Sequence, residues 1–112
     1  MASRYAPDRG EIVWLHFDPR AGHEQGGRRP AIVVSPVAYN RKAGLGLFCP
    51  ITNRVKGYPY EVLLPDSLDV SGAVLSDQIR ILDWRARKAT RICVAPTEVT
   101  ESVLAKLNTL VR

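Results

Sequence analysis

The stretch PAIVVSP (residues 30–36) is a short apolar run bounded by prolines. Such a run, with chain breakers at both ends, predicts a largely buried β-strand. Upstream, EIVWLHF (11–17) alternates enough to predict a half-buried strand. The polar, glycine-containing stretch GHEQGGRR (22–29) separates the two. The sequence therefore predicts two strands joined by a segment that is unusually rich in charged and amide side chains.

Further short strands are predicted on the C-terminal side of this pair. Pro50 requires that its strand lie at an edge or carry a bulge, because proline has no backbone N–H to donate. VAYNRKAG (37–44) is predicted as a turn or a short helix ending at Gly44. The remaining strands are GLFCPIT (46–52), YEVLL (60–64), GAVLSDQIRILDW (72–84), as one bent strand or two short ones, and RICVA (91–95).

A helix is predicted for TEVTESVLAKLNTLV (97–111), where apolar residues recur every three or four positions. Pro96 suits a first helical turn, and Thr97 or Thr100 is a candidate cap. Five or more short strands followed by one helix predict a mainly β fold, a small barrel or half-barrel with the helix packed on one side. The core of a barrel this small is filled by side chains, so we expect function on its loops or at a subunit interface.

Length and charge narrow the class of protein. The 112 residues predict a single domain, 1–112. The net charge of +5 favours a polyanionic partner, either nucleic acid or an acidic protein segment; an arginine-rich codon bias is the alternative. No apolar run has the length of a membrane helix or a signal peptide, which predicts a cytoplasmic location. Cys49 and Cys93 stand apart in apolar surroundings and are predicted to be buried rather than bonded or metal-bound.

The loop between the first two strands is a candidate site. Glu24 and Arg29 would be about 16 Å apart in an extended chain, but Gly26 and Gly27 between them allow the chain to fold back. Arg29 begins a buried strand and therefore has a rigid base. The alternative is a solvated loop with one surface salt bridge, worth at most about 1 kcal/mol.

A second polar cluster, ITNRVKGYPYE (51–61), directly follows the third strand. The two clusters together could converge on one phosphate, and Tyr58 and Tyr60 could stack on bases. The alternatives are an ordinary hairpin loop and two core tyrosines. The polar side chains in question are Thr52, Asn53, Arg54 and Lys56.

Taken together, these segments resemble the MazF/PemK family of bacterial toxin endoribonucleases. The resemblance rests on SRYAPDRGEIVWLHFDP, EQGGRRPAIVVSP, PITNRVKGYPYEV and SDQIRILDWRARKA, and it runs along essentially the whole chain. It implies an SH3-like small barrel of the CcdB/PemK type, with a short internal helix and a C-terminal helix. It further implies a homodimer that cleaves single-stranded RNA at a short motif, with an ACA-containing sequence as one candidate, and without a metal or other cofactor.

The resemblance also assigns roles to residues. It implies a catalytic group of Glu24, Arg29 and Thr52, and RNA contacts from Gln25, Arg28, Asn53 and Lys56. His16 and His23 receive no catalytic assignment. By the same analogy the ribose 2′-hydroxyl attacks the phosphate, leaving a cyclic phosphate and a 5′-hydroxyl.

The implied protein partner is a MazE-like cognate antitoxin with an acidic tail, and operator DNA would be bound only through the complex with the antitoxin. Two alternatives remain from the sequence. One is a CcdB-like toxin that poisons DNA gyrase and cuts no RNA. The other is an RNA-binding module without activity, which would bind RNA in a strongly salt-dependent way and leave it intact.

Overall fold

The elements that the sequence predicts are present, with slightly different bounds. The computed structural model describes residues 5–17 and 27–112. In chain order the elements are β1 (Glu11–His16), β2 (Arg28–Val33), α1 (Val37–Ala43), β3 (Gly46–Thr52), β4 (Glu61–Leu63), β5 (Ala73–Leu75), a 3₁₀ turn (Ser76–Gln78), β6 (Arg80–Leu82), β7 (Thr90–Val94) and α2 (Thr97–Val111). Residues 72–84 therefore form two short strands, one of the two predicted alternatives.

The strands pair in the antiparallel order β4–β5–β3–β2–β1–β7, and β6 also pairs with β3. One edge of β3 changes partner along its length, from β6 at Gly46–Phe48 to β5 at Ile51–Thr52. Pro50 lies at this changeover, and on the other edge of β3 it is opposite Ala31 of β2. A residue without an N–H disturbs the ladder least at such a changeover. Pro50 is therefore accommodated where β3 changes partner, which is how the structure meets the predicted need for an edge or a bulge at this proline.

The described strands form an open sheet. Its end strands are β4 and β7, and within residues 5–17 and 27–112 these two do not pair with each other. Helix α2 instead packs against β4 and the 3₁₀ turn. The mainly β fold with a C-terminal helix is confirmed, and of the two predicted forms, barrel and half-barrel, the open sheet corresponds to the half-barrel.

Alternate residues of the strands supply two apolar clusters, as the period of a β-strand requires. Ile12 and Ile32 point to one cluster, where α2 contributes Val99, Val103 and Leu107. The neighbouring residues of the same strands point to the other, which consists of Ala6, Val13, Leu15, Ala31, Val33, Phe48, Leu82 and Trp84. The predicted apolar face of α2 is therefore confirmed as a core face.

The predicted threonine cap of α2 is wrong. Pro96 occupies the N-cap position and no side chain caps the helix. Thr97 and Thr100 lie inside the helix, so their hydroxyls are not in the capping position. The end of α1 is as predicted: it stops at Gly44, whose φ of 71° is the left-handed conformation that glycine adopts most easily.

Both cysteines are free. Cys49 is buried as predicted, but Cys93 is only partly buried, so the prediction of burial is wrong for Cys93. Within the described ranges, neither helix has the length and apolar character needed to cross a membrane.

Candidate functional site: a basic groove at the ends of β2 and β3

An open groove of about 650 Å³ lies where β2 begins, β3 ends and the chain enters β5. Both predicted polar clusters contribute to it. The side chains that line it include the guanidinium groups, hydroxyls and amides expected from the sequence, and also two aromatic rings. The lining residues are Trp14, Phe17, Arg28, Arg29, Pro30, Pro50, Ile51, Thr52, Asn53, Asp69, Val70, Ser71, Leu75, Gln78 and Arg80.

Strand β2 carries Arg28 and Arg29 into the groove from a rigid base. Both arginines are exposed, whereas the next residues of the strand, Ala31–Val33, are buried. Arg28 pairs with His16 and Arg29 with Leu15 across β1. The backbone that carries the two guanidinium groups is therefore held by its pairing with β1.

Thr52 ends β3 on the facing wall, next to Asn53. The Thr52 hydroxyl accepts a hydrogen bond from the Arg54 backbone N–H at 3.0 Å. That bond uses a lone pair of the oxygen and leaves the O–H to be donated to an acceptor in the groove. The structure thus brings Arg28, Arg29, Thr52 and Asn53 of the two polar clusters to one groove, and their binding of one phosphate stays a prediction.

Lys56 lies beside the groove rather than in it. It lines a neighbouring hollow of about 180 Å³ that shares Thr52 and Gln78 with the groove. The Glu61 carboxylate accepts the backbone N–H groups of Lys56, at 3.1 and 3.2 Å, and of Gly57, at 2.8 Å. Glu61 therefore fixes the backbone that carries Lys56, a contact that the sequence pattern does not reveal.

Cations and aromatic rings are paired along the groove. The Arg28 guanidinium lies 4.6 Å from the centroid of the Trp14 ring, and that of Arg80 lies 5.5 Å from the Phe17 centroid. Such pairs hold a guanidinium in place while leaving its N–H groups available. The strand pattern predicted Trp14 and Phe17 only as parts of a half-buried strand, so their place in the site was missed.

Asp69, Gln78 and Arg80 are further lining residues that the sequence reasoning did not single out. Gln78 and Arg80 lie in the quoted stretch SDQIR, where a polar run inside an apolar segment was the available signal. Asp69 precedes β5 with no distinguishing pattern. With Arg28, Arg29 and Arg80 against Asp69, the described lining is basic, which suits a phosphate-bearing ligand.

The two tyrosines of the second cluster line different hollows. Tyr58 is 58% exposed, and the Lys56 ammonium lies 5.8 Å from its ring centroid. Tyr60 is half-buried and lines a different hollow together with Lys106 of α2. The stacking role predicted for the pair therefore stays a prediction for Tyr58, whereas Tyr60 lies beside α2, away from the groove.

Glu24 and Gln25, with His23, fall in residues 18–26 and lie outside the described residues. On either side of that segment, the Phe17 N–H donates to the Gly27 carbonyl at 2.7 Å. Phe17 and Arg28 both line the groove. In residues 5–17 and 27–112, no three His, Cys, Asp or Glu side chains are grouped to hold a metal ion.

The fold and the groove define a class: a small, mainly antiparallel β protein whose sheet carries a basic, aromatic-lined groove suited to single-stranded nucleic acid. Residues 8–111 match the family described as PemK-like, MazF-like toxin of type II toxin-antitoxin system. The chain belongs to this family. The resemblance drawn from the sequence is confirmed, and the gyrase-poisoning alternative is not favoured.

Curated relatives and solved structures agree with this membership. The chain is 45% identical to the endoribonuclease toxin MazF of Escherichia coli K12 over 111 residues, 99% of each chain. It is 42% identical to the endoribonuclease toxin ChpB of the same strain over 110 residues, 93% of each. A crystal structure of MazF from Deinococcus radiodurans superimposes with a TM-score of 0.86 at 57% identity, covering 95% of this chain and 96% of that one. A MazE–MazF complex from that organism superimposes with a TM-score of 0.85 at 52% identity, covering 95% of both.

Proposed function

We propose that this toxin is a metal-independent endoribonuclease that cuts single-stranded RNA at a short motif in the basic groove. The observation that carries the proposal is the convergence of Arg29 and Thr52 on one groove, with Arg28 and Asn53 beside them. The names of the full-length relatives, endoribonuclease toxins at 42–45% identity, support the same activity. The cytoplasm, where messenger RNA is translated, is the proposed place of action.

The proposed reaction is attack of a ribose 2′-hydroxyl on the adjacent phosphorus. A P–O bond to the 2′ oxygen forms and the bond to the 5′ oxygen of the next nucleotide breaks, giving a 2′,3′-cyclic phosphate and a 5′-hydroxyl. The 2′-hydroxyl proton must pass to a base, and the leaving oxygen must receive a proton. In the transition state negative charge builds on the non-bridging phosphate oxygens, so hydrogen-bond donors must face these oxygens.

Arg29 and Thr52 are the proposed donors to those oxygens. Arginine stays protonated under nearly all conditions in proteins, so Arg29 acts as an electrostatic clamp rather than as a base. Thr52 donates its O–H, since Arg54 N–H already occupies a lone pair of the same oxygen. Glu24 either orients Arg29 or accepts the 2′-hydroxyl proton. Gln25, Arg28, Asn53 and Lys56 are the proposed RNA contacts.

The proposed regulator is a cognate antitoxin with an acidic tail that competes with RNA for the basic groove. The solved MazE–MazF complexes of Deinococcus radiodurans support such a partner. Operator DNA would be bound only through that complex. We further propose that the chain acts as a homodimer, which light scattering of the purified protein tests.

The experiment is cleavage of a long single-stranded RNA in EDTA by the wild type and by Arg29→Ala, Arg29→Lys and Glu24→Ala. Removing one preorganised donor typically lowers kcat by about 10²–10³-fold. We expect that loss for Arg29→Ala and only partial recovery for Arg29→Lys, which keeps the charge but not the planar fork. Arg112→Gln, at the far end of α2, is the matched control and should cut normally.

Two results would overturn the proposal: wild-type cleavage by Arg29→Ala, and complete inhibition of the wild type by EDTA. A strand with 2′-deoxyribose throughout should stay intact, because it lacks the attacking hydroxyl. Capture of gyrase by a protein that leaves RNA intact would instead support the gyrase-poisoning alternative.

A further inference from the structure

The turn between β6 and β7 carries a concentration of positive charge that the proposed reaction does not use. Residues 84–91 read WRARKATR, with four cations and no acid. Arg85, Lys88 and Arg91 are exposed, whereas Arg87 is half-buried. The turn thus presents Arg85 and Lys88 to solvent, β7 adds Arg91 beside it, and Arg87 points inward.

The inward cation fixes the turn against the end of β1. The Arg87 guanidinium donates to the carbonyls of His16, at 3.1 Å, and Phe17, at 2.6 Å. The His16 backbone N–H donates in return to the Arg87 carbonyl at 3.0 Å. Charge-assisted bonds of this kind are among the stronger ones in proteins. The exposed cations therefore project from an ordered backbone, which reduces the entropy lost when a ligand binds.

Arg85 is also held in place. Its guanidinium lies 4.5 Å from the centroid of the Trp84 ring, and the Trp84 indole N–H donates to the buried Asn40 carbonyl at 3.0 Å. A hollow of about 350 Å³ lies beside this pair, lined by Tyr5, Trp84, Arg85, Lys88 and Ala89. The turn therefore offers a concave surface with basic side chains on its rim.

Helix α1 ends next to the turn and adds two exposed cations. The Arg85 guanidinium reaches Gly44, the residue that ends α1, where a Cβ would lie 3.8 Å from it. The last turn of α1 carries Arg41 and Lys42. We call Arg41, Lys42, Arg85, Lys88 and Arg91 the second basic surface. The acid nearest in sequence, Asp83, accepts the Ala86 N–H at 2.9 Å within the turn.

Lys88 has a backbone conformation that favours glycine. Its φ is 56°, the left-handed region, and among the described residues it is the one non-glycine with positive φ. Glycine takes this conformation at lower cost than any residue with a Cβ. The backbone of the turn alone would favour glycine at this position, so we attribute the presence of lysine to its charged side chain.

We propose that the second basic surface binds the backbone phosphates of the RNA strand outside the cleaved motif. This inference rests on the proposed function. Phe17 connects the two regions, because it lines the groove and packs against the same cluster as Trp84. The Arg87 guanidinium donates a hydrogen bond to the Phe17 carbonyl. A strand that leaves the groove past Phe17 therefore meets the turn, whose arginines suit phosphate oxygens and read no base.

The test compares Arg85→Gln, Lys88→Gly and the double variant with the wild type. The substrates are an RNA of roughly 40 nucleotides and one of about 6, near the lower end of the 4–16 nucleotides that one small barrel binds. Lys88→Gly removes the charge and relieves the backbone, so it should fold at least as stably. We expect KM for the long RNA to rise about two- to fivefold per cation, as for exposed ion pairs, with kcat unchanged and the short RNA cut normally.

Salt dependence gives the second readout. Fully 2′-O-methylated RNA of the longer length lacks the attacking hydroxyl and reports binding alone. Each lost phosphate contact should lower the slope of log K against log salt by about 0.7. Arg112→Gln is the charge-matched control and should leave both slope and KM unchanged.

Three results would overturn the inference: equal KM values on the long RNA, an unchanged salt slope, or weakened binding confined to an acidic antitoxin peptide. The last would assign the surface to a protein partner. Failure to cut either RNA would overturn the proposed function itself, and the two failures are therefore distinguishable.

Discussion

Gly72 supports the groove through a contact that only glycine permits, and its replacement by alanine gives the sharpest prediction. Its φ is 117°, and a Cβ built there would overlap the Thr52 carbonyl oxygen and lie 2.9 Å from the Thr52 carbonyl carbon. The next atom of the same backbone stretch, the Asn53 Cα, would lie at 3.1 Å. These are backbone atoms in the wall of the groove, so they cannot rotate away as a side chain would.

The expected loss of stability has two parts. Holding a non-glycine residue in a sparsely populated backbone conformation costs about 1–3 kcal/mol, and overpacking against fixed atoms costs about 1–3 kcal/mol. Gly72→Ala should therefore lower the free energy of unfolding by about 2–6 kcal/mol. With a urea m value of about 1–3 kcal/mol/M, the unfolding midpoint should fall by at least about 0.7 M.

Gly57→Ala is the matched control, because Gly57 also has positive φ, 80°, but no atom lies within 4 Å of the added Cβ. It should lose only the conformational part, about 1–2 kcal/mol. Urea unfolding measures both variants, and RNA cleavage well below the midpoint measures whether Thr52 has moved. If Gly72→Ala were no less stable than Gly57→Ala and cut RNA at the wild-type rate, the proposed support of Thr52 would be wrong.

Three further predictions concern other parts of the molecule. Glu61→Ala should raise KM for RNA more than it lowers kcat, because the carboxylate holds the backbone of the neighbouring basic loop; steady-state cleavage measures this. Burial raises the pKa of the Cys49 thiol to about 12, from an ordinary 9.0. The free energy of unfolding should therefore fall as pH rises from about 9 to 12, because in that range only the unfolded thiol loses its proton. Cys49→Ala should flatten this pH dependence of the free energy of unfolding, and alkylation of the native protein should label Cys93 first. Asn40→Leu should cost about 2–4 kcal/mol in thermal or urea unfolding, since it leaves buried partners unpaired.

Much of the fold could be predicted because each element has a local signal. The apolar period of α2 predicted its range, Thr97–Val111, and Gly44 marked the end of α1. Closure of the barrel could not be predicted, since it depends on whether β4 and β7 pair over a long distance in sequence. The missing threonine cap has a similar cause, because Pro96 takes the N-cap position that the residue pattern alone would give to a hydroxyl.

The residues of the candidate site that could be predicted are those whose side chains have suitable chemistry and also lie in a recognisable sequence motif. Arg29 and Thr52 lie in polar clusters at strand ends, so the sequence marks them directly. Phe17 and Gly72 reach the groove through the strand register and a backbone contact, which leave no pattern in the chain. Glu61 acts through the loop it holds. Residues that work by positioning others are thus the part of a site that a single sequence hides.

On the proposed function, the two basic regions would contribute differently to RNA binding, one to specificity and the other to affinity. Phosphate contacts position a strand and depend on salt, whereas contacts to base edges carry the sequence information. The groove combines cations with the rings of Trp14 and Phe17, on which bases can stack, and with the amide of Gln78, which can bond base edges. The second basic surface offers cations around the deeply buried ring of Trp84, which is 3% exposed. Substitutions in the groove should therefore change which motif is cut, and those in the turn should change only how tightly long RNA is held.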